Sequence, residues 1–136
     1  MDAANETKIA HIKLFAGCTK AQLKKIRALT TYLQLPKDLV LMREGTSAQE
    51  FIIIDSGTAR VSRETDHGVT RVADVGSGEF LGEMALLTGS RRTATVTATS
   101  DLRVLVSSAN EFRSILEIAP SVADKVVHTS LARAAA

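Results

Sequence analysis

A chain of 136 residues is the size of one domain and is long enough to bury a core without metals or disulfides. Hydrophobic residues make up 45% and charged residues 24%, the balance of a soluble globular protein. A formal charge of +2 is too small to point to nucleic acid or a membrane surface, and the sole cysteine, Cys18, excludes an internal disulfide framework and a thiolate zinc cluster.

The amino terminus from Met1 to Thr7 is polar and lacks the plan of a signal peptide, so a cytoplasmic location is expected. Asn5-Glu6-Thr7 matches a glycosylation sequon, which is accidental in a chain that is not secreted. Residues 6–33 read as helices with a break at Gly17. Ile9, Ile12, Leu14 and Phe15 are apolar before the break, and Thr19 is a suitable N-cap after it. Leu23, Ile26, Leu29 and Leu33 then keep a period near 3.6, while Lys20, Lys24, Lys25 and Arg27 form a solvated opposite face.

Pro36 ends this helical pattern. Residues 39–42, 50–55, 58–65, 69–75, 94–99 and 102–106 are short and rich in strand formers. Turn signals separate them at Arg43-Glu44-Gly45, Asp55-Ser56-Gly57, Asp66-His67-Gly68 and Gly76-Ser77-Gly78. Val61 is expected to face one way and Arg60 and Ser62 the other. Many short strands with glycine-rich turns predict an antiparallel barrel or a double-sheet jelly roll, mainly β with flanking helices. Apolar runs such as 51–54 are far too short to cross a bilayer, so no membrane insertion is expected.

After Val106 the period returns to helical. Ser108 or Asn110 can cap a helix carrying Phe112, Ile115, Leu116 and Ala119, and Pro120 breaks it. Ser121 starts a last helix carrying Val122, Val126, Val127 and Leu131. His11, His67 and His128 lack metal-ligand spacing, so no metal is expected.

The most informative stretch runs over residues 81–96, Leu-Gly-Glu-Met-Ala-Leu-Leu-Thr-Gly-Ser-Arg-Arg-Thr-Ala-Thr-Val. Gly82 allows a close backbone approach or a conformation closed to other residues. The amides from about Glu83 to Ala85 open a short helical turn without intrahelical partners, which suits an anion. Arg91 or Arg92 supplies a permanently charged fork for phosphate oxygens. Ionised Glu83 only accepts hydrogen bonds and so suits a sugar hydroxyl. A carboxylate for sugar beside a guanidinium for phosphate points to a nucleotide. No triphosphate-binding Gly-x-x-x-x-Gly-Lys-Ser/Thr loop or Gly-x-Ser-x-Gly elbow is present, and nothing reads as catalytic, so no enzyme is expected.

This stretch resembles the phosphate-binding cassette of cyclic nucleotide-binding domains, roughly Phe-Gly-Glu-(apolar)-Ala-Leu, a short turn, then Arg-(Ala/Thr/Ser)-Ala-(Thr/Ser)-Val. The match has no gap; Leu81 replaces the usual aromatic, with Phe80 just before it. The resemblance implies one domain over 1–136: helices over 1–34, a β-roll over 35–108 that holds the cassette, and closing helices over 109–136. It implies that Glu83 holds the ribose 2′-hydroxyl and Arg92 the cyclic phosphate, with Arg91 facing solvent. Gly82, Met84, Ala85 and Ala94 contribute through backbone or close packing, and Thr93 reaches the phosphate and the purine edge. Leu131 is a candidate lid residue over the base.

The same resemblance implies a regulatory sensor of a cyclic nucleotide, with cAMP favoured over cGMP, acting on an effector protein or domain and making no direct contact with nucleic acid. Two alternatives stand beside it. The chain is a fragment of a larger regulated transcription factor, kinase or channel, or it is an interaction module with an empty pocket. About thirty residues after the last strand are too few for closing helices and a helix-turn-helix module together.

Overall fold

The computed structural model describes residues 9–135, so the readings placed on residues 1–8 lie outside the described residues. A 3-10 turn at Lys13–Phe15 precedes helix α1, Lys20–Ala28. Five strands follow: β1 Thr31–Leu35, β2 Val40–Met42, β3 Glu50–Ser56, β4 Ala59–Thr65 and β5 Gly68–Val75. Then come β6 Phe80–Leu81, the short helix α2 Glu83–Thr88, β7 Thr95–Ala98 and β8 Leu102–Ser108. Helices α3, Ala109–Ile118, and α4, Pro120–Ala135, complete the fold.

The strands form two four-stranded sheets in the orders β1-β8-β3-β6 and β2-β7-β4-β5, with every pairing antiparallel. This is the expected double-sheet roll, mainly β with flanking helices. Strand β3 explains how the layers share a core. Ile52 and Ile54 join Met42, Val96 and Val104 between the sheets. Phe51 and Ile53 turn the other way, into a second cluster with Ile12, Phe15, Ile26, Phe112, Ile115, Val122 and Val126. A strand buried on both faces reads as a continuous apolar run. Phe51 stacks on Phe112 with centroids 4.3 Å apart, which seats α3 on the sheet.

Three expectations need correction. Residues 6–33 are not helical throughout: α1 ends at Ala28, and Thr31–Leu35 pairs with β8 from Thr31↔Val106 to Leu35↔Leu102. Pro36 therefore follows a strand, not a helix. Strand β6 was not expected; two residues are too short for a periodic signal, and the pairing of Ile52 with Leu81 and Ile53 with Phe80 defines it. The alternation expected around Val61 breaks at a bulge between Val61 and Ser62, and both are half-buried.

The helix ends follow their local chemistry. Thr19 and Gln22 form a reciprocal capping box at α1, and Ser108 and Glu111 do the same at α3. Ser108, not Asn110, is therefore the cap. His11 Nε2 lies 2.6 Å from Asp55 Oδ1, tying the first described residues to the end of β3.

Candidate functional site

The site begins where β6 leaves its sheet. Gly82 takes φ +91°, a left-handed conformation that turns the chain from Leu81 into α2. Helix α2 ends at Gly89, again left-handed, and the chain returns through Arg91 and Arg92 to β7. The backbone at position 92 is held on both sides. Its N–H donates to Thr46 O at 2.8 Å, and its carbonyl accepts from Gly45 N–H at 2.8 Å.

The Arg92 side chain is 7% exposed. Its Nη1 donates to Gly82 O at 2.9 Å and its Nη2 to Glu50 O at 2.6 Å. The guanidinium thus binds Gly82, the second residue of the cassette, to Glu50, the first residue of β3. Among the described residues no carboxylate forms an ion pair with it; Glu50 and Glu83 act on it only at longer range. Burial lowers its pKa from the ordinary value, against the pull of those two carboxylates. An arginine starts so high that it stays charged. A cavity of about 350 Å³ opens beside it, with Met42, Thr46, Ser47 and Gln49 in its wall. That volume lies within the usual range of small-molecule sites.

Glu83 opens α2 and is 2% exposed. Its carboxylate faces α4. Arg133 Nη1 donates to both oxygens, at 3.0 Å to Oε2 and closer to Oε1, and the Ser130 hydroxyl lies 3.5 Å from Oε2. Arg133 Nη2 also donates to Phe80 O at 2.7 Å, and the guanidinium lies over the Phe80 ring, 5.0 Å from its centroid. Burial raises the Glu83 pKa from its ordinary value, and Arg133 pulls the other way.

The remaining expected residues fall around this frame. Ala85 is buried, Met84 and Ala94 are half-buried, and Thr93 is exposed. Arg91 faces solvent and donates to Gly45 O at 3.0 Å. Leu131 is 66% exposed, so it is not on the buried face of α4. That face is made by Val122, Val126, Ser130 and Arg133, at spacings that keep one helical stripe. Ser130 and Arg133 are the residues missed from sequence. Polar side chains continuing an apolar stripe were the available signal. Among the described residues no group of three or more His, Cys, Asp or Glu side chains is placed to hold a metal, and no helix is long and apolar enough to cross a membrane.

The family model for the cyclic nucleotide-binding domain matches residues 32–119. The chain belongs to that family. It is 33% identical to the acetyltransferase Pat of Mycolicibacterium smegmatis, over 94% of this chain and 38% of that protein. It is 32% identical to a cyclic nucleotide-gated potassium channel of Rhizobium etli, over 92% of this chain and 34% of the channel. A solved cAMP-binding acyltransferase from Mycobacterium smegmatis superimposes with a TM-score of 0.81 at 29% identity, covering 94% of this chain and 40% of that one. This cyclic nucleotide-binding domain thus spans between about a third and two fifths of the length of these three relatives. Its family-matched segment stops before α4, so Arg133 lies outside the matched residues.

Proposed function

We propose that this domain binds a cyclic nucleoside monophosphate, cAMP in preference to cGMP, and acts as a non-catalytic sensor for an effector domain or protein. One observation carries the reading: Arg92 is a buried cation with no carboxylate ion-pair partner among the described residues, held rigid beside a cavity. Buried charges are normally paired, and a phosphate would complete this one. Two of its five N–H donors are fixed on carbonyls, which orients the fork.

Glu83 takes the sugar in this reading. A carboxylate has about four acceptor positions. Arg133 and Ser130 occupy three directions, so a ribose hydroxyl either adds to them or displaces the weak serine contact. Thr93, which is exposed, and Ala94 follow Arg92 in the chain and are proposed to meet the phosphate and base. The choice of cAMP is supported by the acyltransferase relative, described as cAMP-binding. Ligand would favour the arrangement in which cassette and α4 stay together, by no more than its difference in affinity for the two arrangements. Leu131, exposed on α4, would reach the base only after a shift of that helix. The relatives attach such a domain to an acetyltransferase and to a channel, so the effector is proposed to be a further domain or a partner.

Calorimetric titration with cAMP and cGMP tests this reading. Saturable binding is expected for cAMP, weakened in Arg92→Ala by about 30- to several-thousand-fold, the loss typical of a buried charge partner. Melting curves of both proteins establish that each is folded. Unchanged affinity in a folded Arg92→Ala protein would remove Arg92 from the site. No binding by the folded parent would turn the reading to an interaction module with an empty pocket.

A further inference from the structure

The largest of the described cavities, about 650 Å³, is not lined by Arg92 or Glu83. It opens between the 3-10 turn, the turn that leads into β6, and α4. Leu14 and Phe80 are in its wall, with three cations, Lys13, Lys125 and Arg133, and one carboxylate, Glu79. The amine of Lys125 is held in place by Leu14 O at 3.3 Å and Ala16 O at 2.8 Å, which leaves one N–H for a ligand. Lys13 is exposed, and its amine meets no acceptor among the described residues. Arg133 is already committed to Glu83 and the Phe80 carbonyl. The two lysines therefore outnumber Glu79 among the side chains that line the cavity, beside apolar Leu14 and Phe80.

We infer that this cavity is a second binding site, for a small organic anion with an apolar body: one carboxylate or sulfonate head carried on an aromatic or short aliphatic frame. Volume and wall chemistry both select that class. A few hundred cubic ångströms with an apolar lining and a small number of placed polar groups is the usual form of a small-molecule site. The ammonium groups of Lys13 and Lys125 would take the head, and Leu14 and Phe80 the body. The cavity shares Arg133 with the Glu83 contact, but Lys13 and Lys125, which would take the head, belong to neither Arg92 nor Glu83, so the inference does not rest on the nucleotide reading.

Fluorescence titration of the whole chain with 1-anilinonaphthalene-8-sulfonate is the test, beside 1-anilinonaphthalene, the same rings without the sulfonate. Amide chemical shifts locate the probe. The expected result is one saturable site, with shifts centred on Gly78, Phe80 and Thr129, and affinity at least tenfold weaker for the neutral compound. Lys13→Glu, a surface change, and Ala16→Trp, which adds bulk at the cavity wall, should each weaken the probe at least tenfold. Arg92→Ala should leave it unchanged. Equal affinity for the neutral compound, shifts centred elsewhere, indifference to both variants, or no saturable binding would each overturn the inference. Amide spectra of each variant establish that it is folded, and the probe comparison on the unmodified chain needs no variant.

Discussion

Gly82, Arg92 and Glu83 divide the work of the cassette at the scale of single atoms. A Cβ at position 82 would lie 2.5 Å from Arg92 Nη1, 2.8 Å from Glu50 O and 2.9 Å from Met42 Cε. The left-handed backbone there already disfavours any other residue. Gly82→Ala is therefore expected to cost about 1–3 kcal/mol, read by denaturant unfolding, and to push the guanidinium off Glu50 O. An unchanged unfolding midpoint would mean that the turn is softer than its geometry. Glu83 makes a different prediction, in pH. Its pKa in the folded protein is raised, chiefly by burial. Above the ordinary carboxylate value and below the raised one, the folded state holds a proton that the unfolded chain has lost. Stability from this group is thus present at low pH and declines as pH rises through the raised value. Glu83→Gln removes that slope. The stability of the parent relative to the variant should fall from pH 4 to pH 7, and a flat difference would show that Arg133 fully offsets the burial.

Among elements, those that carry their own pattern were legible and those defined by a partner were not. The cassette is contiguous, so the positions of Glu83 and Arg92 could be read without knowing the fold. Strands β3, β4 and β5 lie within one or two residues of the expected runs because turn chemistry brackets them, and β7 and β8 do so on their strand-forming composition. Strand β1 was hidden because Leu29 and Leu33 extend the helical period of α1, while Thr31, Leu33 and Leu35 equally satisfy a strand. Five pairs with β8 settle the choice, and that information lies seventy-odd residues downstream. The capping boxes were half legible: Thr19 was found, and Ser108 was found as one of two candidates. Replacing Ser108 by Ala removes its bond from Glu111 N–H at 3.2 Å and disrupts the reciprocal bond at 2.9 Å. A loss of about 1 kcal/mol is expected from thermal or denaturant unfolding. Asn110→Ala, by contrast, should stay within about 0.5 kcal/mol, because Asn110 is exposed and its side chain only accepts a solvent-exposed bond from Arg113 at 2.8 Å.

At the scale of the molecule, strands with a side chain on each face join the two cores. Ile53 and Leu105 pack on the helix side, and Ile52, Ile54 and Val104 between the sheets. Helix α4 is the last element laid on this frame, and its inner stripe passes from apolar Val122 and Val126 to polar Ser130 and Arg133 as it reaches the cassette. No local pattern could reveal that contact, because its two ends are 50 residues apart.

The Arg133–Glu83 contact makes the end of α4 a gate on solvent. If the last turns of the helix open locally, Glu83 is hydrated and its pKa relaxes toward the ordinary carboxylate value. The closed form holds its proton more tightly than the open form, so opening should become more frequent as pH rises through the raised value. Hydrogen exchange would register this as falling protection factors at residues 130–133, after correction for intrinsic rates. Amides in the middle of α3, which do not depend on that carboxylate, should keep theirs. Equal pH dependence in both helices would mean that the end of α4 opens only with the whole domain. A difference confined to α4 would mean that one buried proton sets how often the carboxylate meets water.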